Sequence, residues 1–409
     1  MRIAILADLH LGYERFSSDS YSQAAEALEK AYQSADAILI AGDLFDYRHP
    51  KPEVLAVAIN LFRNLSKKEF RAHVEGFEGR GAAYTGVPVF AIAGTHERRS
   101  EGAAHAVELL GLAGLLVDIS QARAVIAMDD GSERIAVSGV GGIADERFRE
   151  VLHSLNPKPA EGMFNVFMFH QSVHDLLPFD NDYINIEELP QGFDLYIDGH
   201  IHNRVERGCH GKPFLIPGST VLTQLKDAEQ EEKGFFVYDT SQNTFSFEKI
   251  NSRRLVFADV DVSGKTPKEV RDTIMERVEK TISGREDRPI IKLVLRGLLM
   301  DGFKNIDVNL QDIPARYGKN AIIEIDRKGM ESITSKASLD GLRNGTLDNV
   351  SVNDSGIKIL KGKLEAYKYD MSISPSLLFD ILSSDEKREN VLKNAIDFID
   401  GSKAKKPEI

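Results

Sequence analysis

Aspartate and histidine residues recur at five places in the chain where an apolar run ends. The motifs are Asp8-Leu9-His10, Gly42-Asp43-Leu44-Phe45-Asp46, Gly94-Thr95-His96-Glu97, His170 and Gly199-His200-Ile201-His202. Carboxylate and imidazole ligands without thiolate suit Mn, Fe or Zn, whereas Mg alone prefers oxygen. Each motif taken alone fits ordinary surface or core. Five of them together predict a divalent-metal site, because a sheet collects its strand ends at one edge.

Asp43 could bridge two cations, since its carboxylate has two oxygens. Gly42 before it would let the backbone approach an ion closely. Two cations about 3.5–4 Å apart hold the attacking and leaving oxygens of an in-line displacement at phosphorus. They also acidify the attacking water, so no protein nucleophile is needed. The sequence therefore indicates phosphoester hydrolysis.

The elements that must position these motifs follow from apolar runs and helical patterns. Strands are predicted over residues 2–7, 37–41, 88–93, 134–140, 165–169 and 194–197, and helices over 21–33, 52–65, 102–110 and 145–155. Later runs at 214–216, 234–238 and 244–250 indicate further strands. Strands that alternate with helices are typical of an α/β fold.

After residue 250 a new series of strand and helix patterns begins, which predicts a small α+β domain over 251–330. Strands are expected over 255–262, 290–295 and 321–325. Thr266-Pro267-Lys268-Glu269 is a capping box with proline at the first helical position, so it opens a helix. Val270, Ile274, Val278 and Ile282 form one apolar stripe on that helix. Residues 331–370 are polar and predict a linker, and 371–402 predict two helices.

Composition limits the remaining possibilities. The net charge of −12 argues against a protein that coats nucleic acid, although a local basic groove or a bound cation could still attract phosphate. The single cysteine, Cys209, fits a reducing compartment. The sequence shows neither a membrane-spanning run nor a signal peptide, so we expect a cytoplasmic protein. All eleven histidines lie between His10 and His210, which places the chemistry in the N-terminal half.

The five motifs, in this order, resemble the signature of the calcineurin-like metallophosphoesterases. Closer similarity is to the DNA repair nucleases of the meiotic-recombination-eleven type and their bacterial counterpart SbcD, through 42–46, 217–220, 232–235 and the helix start at 266–270. The resemblance implies a four-layer α-β-β-α sandwich over 1–250, a DNA-capping α+β domain over 251–330 and C-terminal helices. The segment 371–402 would bind a coiled-coil ATPase of the Rad-fifty or SbcC type.

The resemblance also implies a role for each site residue. One Mn²⁺, or another divalent transition metal, would bind Asp8, His10, Asp43 and His202, and a second would bind Asp43, Thr95, His170 and His200. His96 would contact the scissile phosphate and protonate the leaving oxygen, with Asp46 or a neighbour orienting it. The family has asparagine where this chain has Thr95. A hydroxyl on a shorter stem predicts a weaker second ion, unless threonine substitutes fully.

The resemblance further implies a Mn-dependent nuclease, double-strand exonuclease and single-strand endonuclease, that processes DNA ends in double-strand-break repair in the nucleoid of a prokaryote. Arg98, Arg99, Arg253 and Arg254 are candidate phosphate contacts, although arginines are usually solvated surface. The resemblance also implies a homodimer that forms through helices of the catalytic domain. The helix over 52–65 carries more apolar residues than one face needs, which fits either this homodimer or a fully covered core helix. The alternatives are a DNA-end tether with weak nuclease activity, and another metallophosphodiesterase.

Overall fold

The computed structural model describes residues 1–78, 84, 86–98, 103–177, 183–284 and 287–332. Within these ranges the helices are α1 Ser17–Ser34, α2 Pro52–Leu65, α3 Ala106–Leu112, α4 Asp145–Leu155, α5 Pro267–Ile282 and α6 Ile313–Tyr317. The strands are β1 Arg2–Leu6, β2 Ala37–Ala41, β3 Ala72–Phe77, β4 Val89–Ile92, β5 Val117–Asp118, β6 Arg123–Met128, β7 Arg134–Val140, β8 Phe164–Phe169, β9 Leu195–Asp198, β10 Val205–Cys209, β11 Lys212–Ile216, β12 Gly234–Asp239, β13 Thr244–Lys249, β14 Leu255–Asp261, β15 Ile290–Leu298 and β16 Ile322–Glu331.

Two mixed sheets form the centre of the N-terminal part of the chain. The first has the strand order β13-β12-β1-β2-β4-β5, and the second has the order β10-β11-β9-β8-β7-β6-β3. In the first sheet β1, β2 and β4 run parallel, and in the second β7, β8 and β9 run parallel. These six strands are apolar along most of their length and almost fully buried, as strands covered on both faces must be.

Three hydrophobic layers hold the sheets and helices together. Between the sheets, side chains such as Ile5 and Leu39 of the first sheet share a core with Val137 and Met168 of the second. On the outer face of the first sheet, helices α1, α2 and α3 cover a second core. On the outer face of the second sheet, α4 contributes Phe148 to a third core. This arrangement confirms the predicted four-layer α-β-β-α sandwich.

The C-terminal part of the described chain contains a three-stranded sheet with the order β14-β15-β16. Helix α5 begins with the predicted capping box: the backbone N–H of Thr266 donates to Glu269 Oε2 at 2.8 Å, and the N–H of Glu269 donates to Thr266 Oγ1 at 3.3 Å. Val270, Ile274 and Val278 are buried, as their spacing predicts.

The chain divides into two compact units. One contains Met1–Asp259, Glu276–Val294 and Gln311–Asp326, and the other contains 260–275, 295–310 and, of the described residues, 327–332. The predicted linker over 331–370, apart from its first two residues, and the predicted helices over 371–402 lie outside the described residues. No helix in the described part of the chain has the length and apolar character needed to cross a membrane.

The loops that follow β1, β2 and β4 are joined to one another by hydrogen bonds. The backbone N–H groups of Asp8 and His10 donate to the carbonyls of Gly42 and Asp43, each at 3.0 Å. Glu97, which is fully buried, accepts the N–H of Phe45 at 2.6 Å and that of Gly94 at 2.8 Å. Glu97 therefore fixes the loop after β2 against the loop after β4.

Replacing Glu97 with alanine is expected to lower the free energy of unfolding by about 1–3 kcal/mol for each of the two N–H groups that lose their acceptor. Urea unfolding followed by circular dichroism measures the change. Glu150→Ala is the matched control, because the Glu150 side chain on α4 is 77% exposed and should shift stability by no more than about 0.5 kcal/mol. Equal, small shifts for both variants would contradict the role of Glu97.

Candidate metal centre

Three of the predicted ligands meet where β1 and β9 end. His10 Nε2 lies 3.1 Å from His202 Nε2. Asp8 Oδ1 lies 3.9 Å from His10 Nε2 and 3.7 Å from His202 Nε2. One carboxylate and two imidazole nitrogens thus converge on a small volume, a geometry that suits a cation.

A second group of predicted ligands meets where β2, β8 and β9 end. Asp43, His170 and His200 place ligand atoms within reach of one cation. Asp43 Oδ2 lies 3.3 Å from His170 Nε2. Thr95 Oγ1 lies 3.4 Å from His200 Nδ1, so the Thr95 hydroxyl also borders this group.

Several buried atoms in both groups lack a normal hydrogen-bond partner among the described residues. They include both carboxylate oxygens of Asp8 and the Nε2 atom of His170. Burying an anionic carboxylate without a donor is costly, and a bound cation supplies the missing interaction. The donor set of carboxylate and imidazole, together with these unpartnered atoms, fits divalent transition metals.

The protonation of the centre reflects burial and mutual charge. Burial raises the pKa of Asp8 to about 6, and the nearby Asp43 charge adds to this effect. Burial opposes protonation of His170, but the Asp43 carboxylate outweighs it and raises the pKa of His170 to about 10. The same pairing outweighs burial at Asp43 and holds its pKa below the ordinary value. Burial, with the charge of His170, lowers the pKa of His200 to about 4.

The backbone is strained at the ligands themselves. Asp8, His10, Asp43 and His200 all have positive φ angles, between 44° and 67°. Residues other than glycine seldom adopt this region of backbone conformation. Gly42, with φ +86°, has no room for a side chain, because a Cβ there would lie 2.3 Å from His170 Nδ1. Strain of this kind persists where the surrounding structure holds it for a function.

His96 differs from the other histidines in being accessible. Its side chain is 40% exposed. Its Nδ1 lies 2.5 Å from the backbone carbonyl of Asp46, which can only accept, so Nδ1 carries the hydrogen. Nε2 therefore faces the centre and lies 3.9 Å from Asp43 Oδ2. The Asp46 carboxylate lies 3.2 Å from His10 Nδ1, so Asp46 contacts two histidines by different atoms.

Further polar residues support the centre, and sequence reasoning did not single them out. Ser172 lies 3.0 Å from His200 Nε2, and Thr223 lies 2.5 Å from His202 Nδ1. Buried Lys233 donates to the carbonyl of His202 at 2.9 Å. Asp198, directly before Gly199, is fully buried and accepts the N–H of Gln171 at 3.0 Å. Serine, threonine and lysine give no signal of such roles in a single sequence, because their burial becomes visible only in the fold.

The four candidate arginines have different environments. Arg253 donates from Nε and Nη2 to the two carboxylate oxygens of Asp19 at 2.5 and 2.6 Å, so its fork is engaged inside the protein. Arg254 donates to Asp287 at 2.8 Å. Arg98 is partly exposed beside the motif that contains His96, and Arg99 lies outside the described residues.

Residues 1–204 match the family of calcineurin-like phosphoesterases. The chain is 29% identical over 263 residues to the DNA double-strand break repair protein Mre11 of Methanopyrus kandleri, a match that covers 58% of this chain and 54% of that protein. Identity to the protein of the same name from Sulfurisphaera tokodaii is 25%, and the match covers 72% of this chain and 73% of that protein. Identity to the Sulfolobus acidocaldarius protein is 22%, and the match covers 88% of this chain and 94% of that protein.

The matched residues contain all the strand ends that carry the two ligand groups. The relatives also extend the similarity into the part of the chain that follows residue 204. Residues 1–204 therefore form a domain that belongs to the calcineurin-like phosphoesterases.

Proposed function

We propose that this protein is a Mn-dependent DNA nuclease that processes DNA ends in double-strand-break repair. The observation that carries the proposal is the pair of ligand groups that form where β1 and β2 of the first sheet and β8 and β9 of the second sheet end. Relatives over most of the chain are named double-strand break repair proteins, which favours DNA over a small phosphodiester as substrate. Both exonuclease action on duplex ends and endonuclease action on single strands follow from the family resemblance.

The two groups would each hold one cation. Asp8, His10 and His202 would hold the first, and His170, His200 and Thr95 the second, with Asp43 shared between them. Two bound cations would supply Lewis-acid stabilisation of charge at phosphorus and a water of lowered pKa. Asp43 is suited to the shared position because it is buried and its Oδ1 accepts the backbone N–H of His96 at 2.8 Å, which fixes the carboxylate.

His96 would act on the substrate and bind no metal. Its Nδ1–H is fixed by the Asp46 carbonyl, and its exposed ring can reach a phosphate at the mouth of the centre. In that position a protonated Nε2 would donate to the scissile phosphate and transfer its proton to the leaving oxygen. Arg98 and Arg99 are the better candidates for further phosphate contacts, because the guanidinium groups of Arg253 and Arg254 already pair with carboxylates.

The phosphoesterase part would form a homodimer through helices α2 and α3. On α2, Val54, Ala58 and Phe62 are buried, whereas Ile59 on the outer face is 40% exposed. On α3, Leu109 and Leu112 are 49% and 52% exposed. Apolar residues that remain exposed on helices are candidates for a protein contact surface. The Rad-fifty or SbcC-type ATPase would bind the C-terminal segment 371–402.

A DNA-end tether with weak nuclease activity is the second candidate, and Thr95 favours it. A neutral hydroxyl is a modest ligand, so the ion held with His170 and His200 would be the weaker of the two. A Mn-dependent assay on linear duplex separates the two functions, since a tether would bind ends with little hydrolysis.

His96→Ala is expected to lower turnover about 10²–10⁴-fold, the usual contribution of a general acid. Mn²⁺ content, measured by elemental analysis, should stay at the wild-type value. His73→Ala is the control, because His73 pairs with Asp129 at the surface, on the edge strand β3. Loss of metal from the His96 variant would reject its assignment as a catalytic group.

Asp43→Ala is expected to weaken both cations, because it removes an anionic ligand from each. Calorimetric titration with Mn²⁺ compares it with Asp8→Ala, which should weaken only the cation near His10 and His202. If the Asp43 variant keeps one cation at wild-type affinity, the shared position is wrong.

Thr95→Asn is expected to tighten the cation held with His170 and His200 and to raise activity when Mn²⁺ is limiting. The amide oxygen reaches further than the hydroxyl and restores the family's ligand. Thr95→Val, which removes the hydroxyl at nearly constant size, should weaken the same cation further. Equal affinity and activity for all three proteins across a Mn²⁺ titration would show that Thr95 is no handicap.

A further inference from the structure

The two histidines of the motif Gly199-His200-Ile201-His202 present opposite ring nitrogens to the centre. His200, with φ +67°, directs Nδ1 toward Thr95, while its Nε2 lies 3.0 Å from Ser172 Oγ. His202 does the reverse. Its Nε2 lies 3.1 Å from that of His10, and its Nδ1 lies 2.5 Å from Thr223 Oγ1. The outward nitrogen of each ring therefore meets a hydroxyl.

Each hydroxyl in turn meets a carboxylate. Ser172 Oγ lies 3.0 Å from Asp145 Oδ2, and the Ser172 N–H donates to Asp145 Oδ1 at 3.2 Å. Thr223 Oγ1 lies 3.2 Å from Glu229 Oε1. Ser172 and Glu229 are both almost fully buried.

The Glu229 carboxylate is held in place by several donors. It accepts the backbone N–H groups of Thr223, Gln224 and Leu225 at 3.1, 2.8 and 2.6 Å. The Lys233 ammonium lies 3.5 Å from Glu229 Oε1 and supplies a buried counter-charge. The carboxylate is therefore a fixed acceptor, so the Thr223 hydroxyl has a defined partner for its hydrogen.

These contacts determine the direction of every hydrogen bond. A carboxylate only accepts, so each hydroxyl donates its one hydrogen to the carboxylate and must accept from the imidazole. A neutral imidazole has one N–H, and that N–H then lies on the nitrogen facing the hydroxyl. The lone pair falls on Nδ1 of His200 and on Nε2 of His202, the two atoms that face the candidate cations.

We propose that Ser172 with Asp145, and Thr223 with Glu229, are two matched positioning pairs. They fix His200 and His202 in opposite tautomers and so direct each histidine to its own cation. The inference rests on the proposed metal centre. Each pair connects a carboxylate to a ligand imidazole through a hydroxyl, which orients the ring and increases the basicity of its free nitrogen.

The hydroxyl pairs allow a crossed test by Mn²⁺ calorimetry. Ser172→Ala should weaken the cation held with Asp43 and His170 about 10–100-fold, the usual effect of losing a partner of a metal ligand, and leave the other cation unchanged. Thr223→Val should do the opposite. His170→Ala and His10→Ala, which each remove one direct ligand, identify the two binding steps.

Conservative variants separate positioning from packing. Ser172→Thr and Thr223→Ser keep a hydroxyl and should restore most of the affinity. Asp145→Asn leaves Ser172 in place and should weaken the same cation as Ser172→Ala, and thermal unfolding of each variant shows that it is folded. Wild-type affinity in Ser172→Ala and Thr223→Val, or equal losses with and without the hydroxyl, would overturn the proposal.

The tautomers can be measured without metal. Nitrogen-15 NMR of the metal-free protein should show the hydrogen of His200 on Nε2 and that of His202 on Nδ1, with each preference lost in its hydroxyl-free variant. The same tautomer for both histidines would overturn the positioning pairs. If the wild-type protein has these tautomers but binds no Mn²⁺, the metal centre fails and the hydrogen-bonded pairs stand.

Discussion

The feature on which this structure most depends is the burial of two aspartates among histidines at the strand ends. Asp8 and Asp43 are withdrawn from water, and neither oxygen of Asp8 has a normal hydrogen-bond donor among the described residues. A buried carboxylate in this state favours protonation or a cation. The surrounding structure keeps these oxygens away from water and close to imidazole nitrogens. This arrangement would stabilise a bound cation, whereas without a cation the buried carboxylate costs free energy.

Maintaining this arrangement requires rigid support from outside the centre. The positive φ angles at Asp8, Asp43 and His200 are unfavourable, and they persist because the adjoining loops are joined to one another. Glu97 holds two of those loops from within the core. Arg253 pairs with Asp19 at the start of α1, so the segment between β13 and β14 is also anchored.

The strand and helix pattern predicted an α/β fold and the convergence of the five motifs because both follow from parallel strands, whereas the four-layer sandwich was predicted from the family resemblance. Apolar runs identify such strands, and parallel strands that end together bring the residues after them together. The same reasoning could not assign Arg253, because its partner Asp19 lies 234 positions away. It also could not distinguish the carbonyl of Asp46 from its carboxylate as the partner of His96. The contacts of Ser172 with His200 and of Thr223 with His202 join loops that are distant in sequence, which residue types do not indicate.

The candidate ligands come from both sheets of the sandwich. His10 follows β1 of the first sheet and His202 follows β9 of the second, and their rings meet across 192 residues of chain. A cation held between them would act as a cross-link that closes this long loop. Because closing a long loop removes entropy from the unfolded chain, occupancy of the centre and cohesion of the two sheets become one linked equilibrium. The metal centre would then also stabilise the packing of the two sheets against each other.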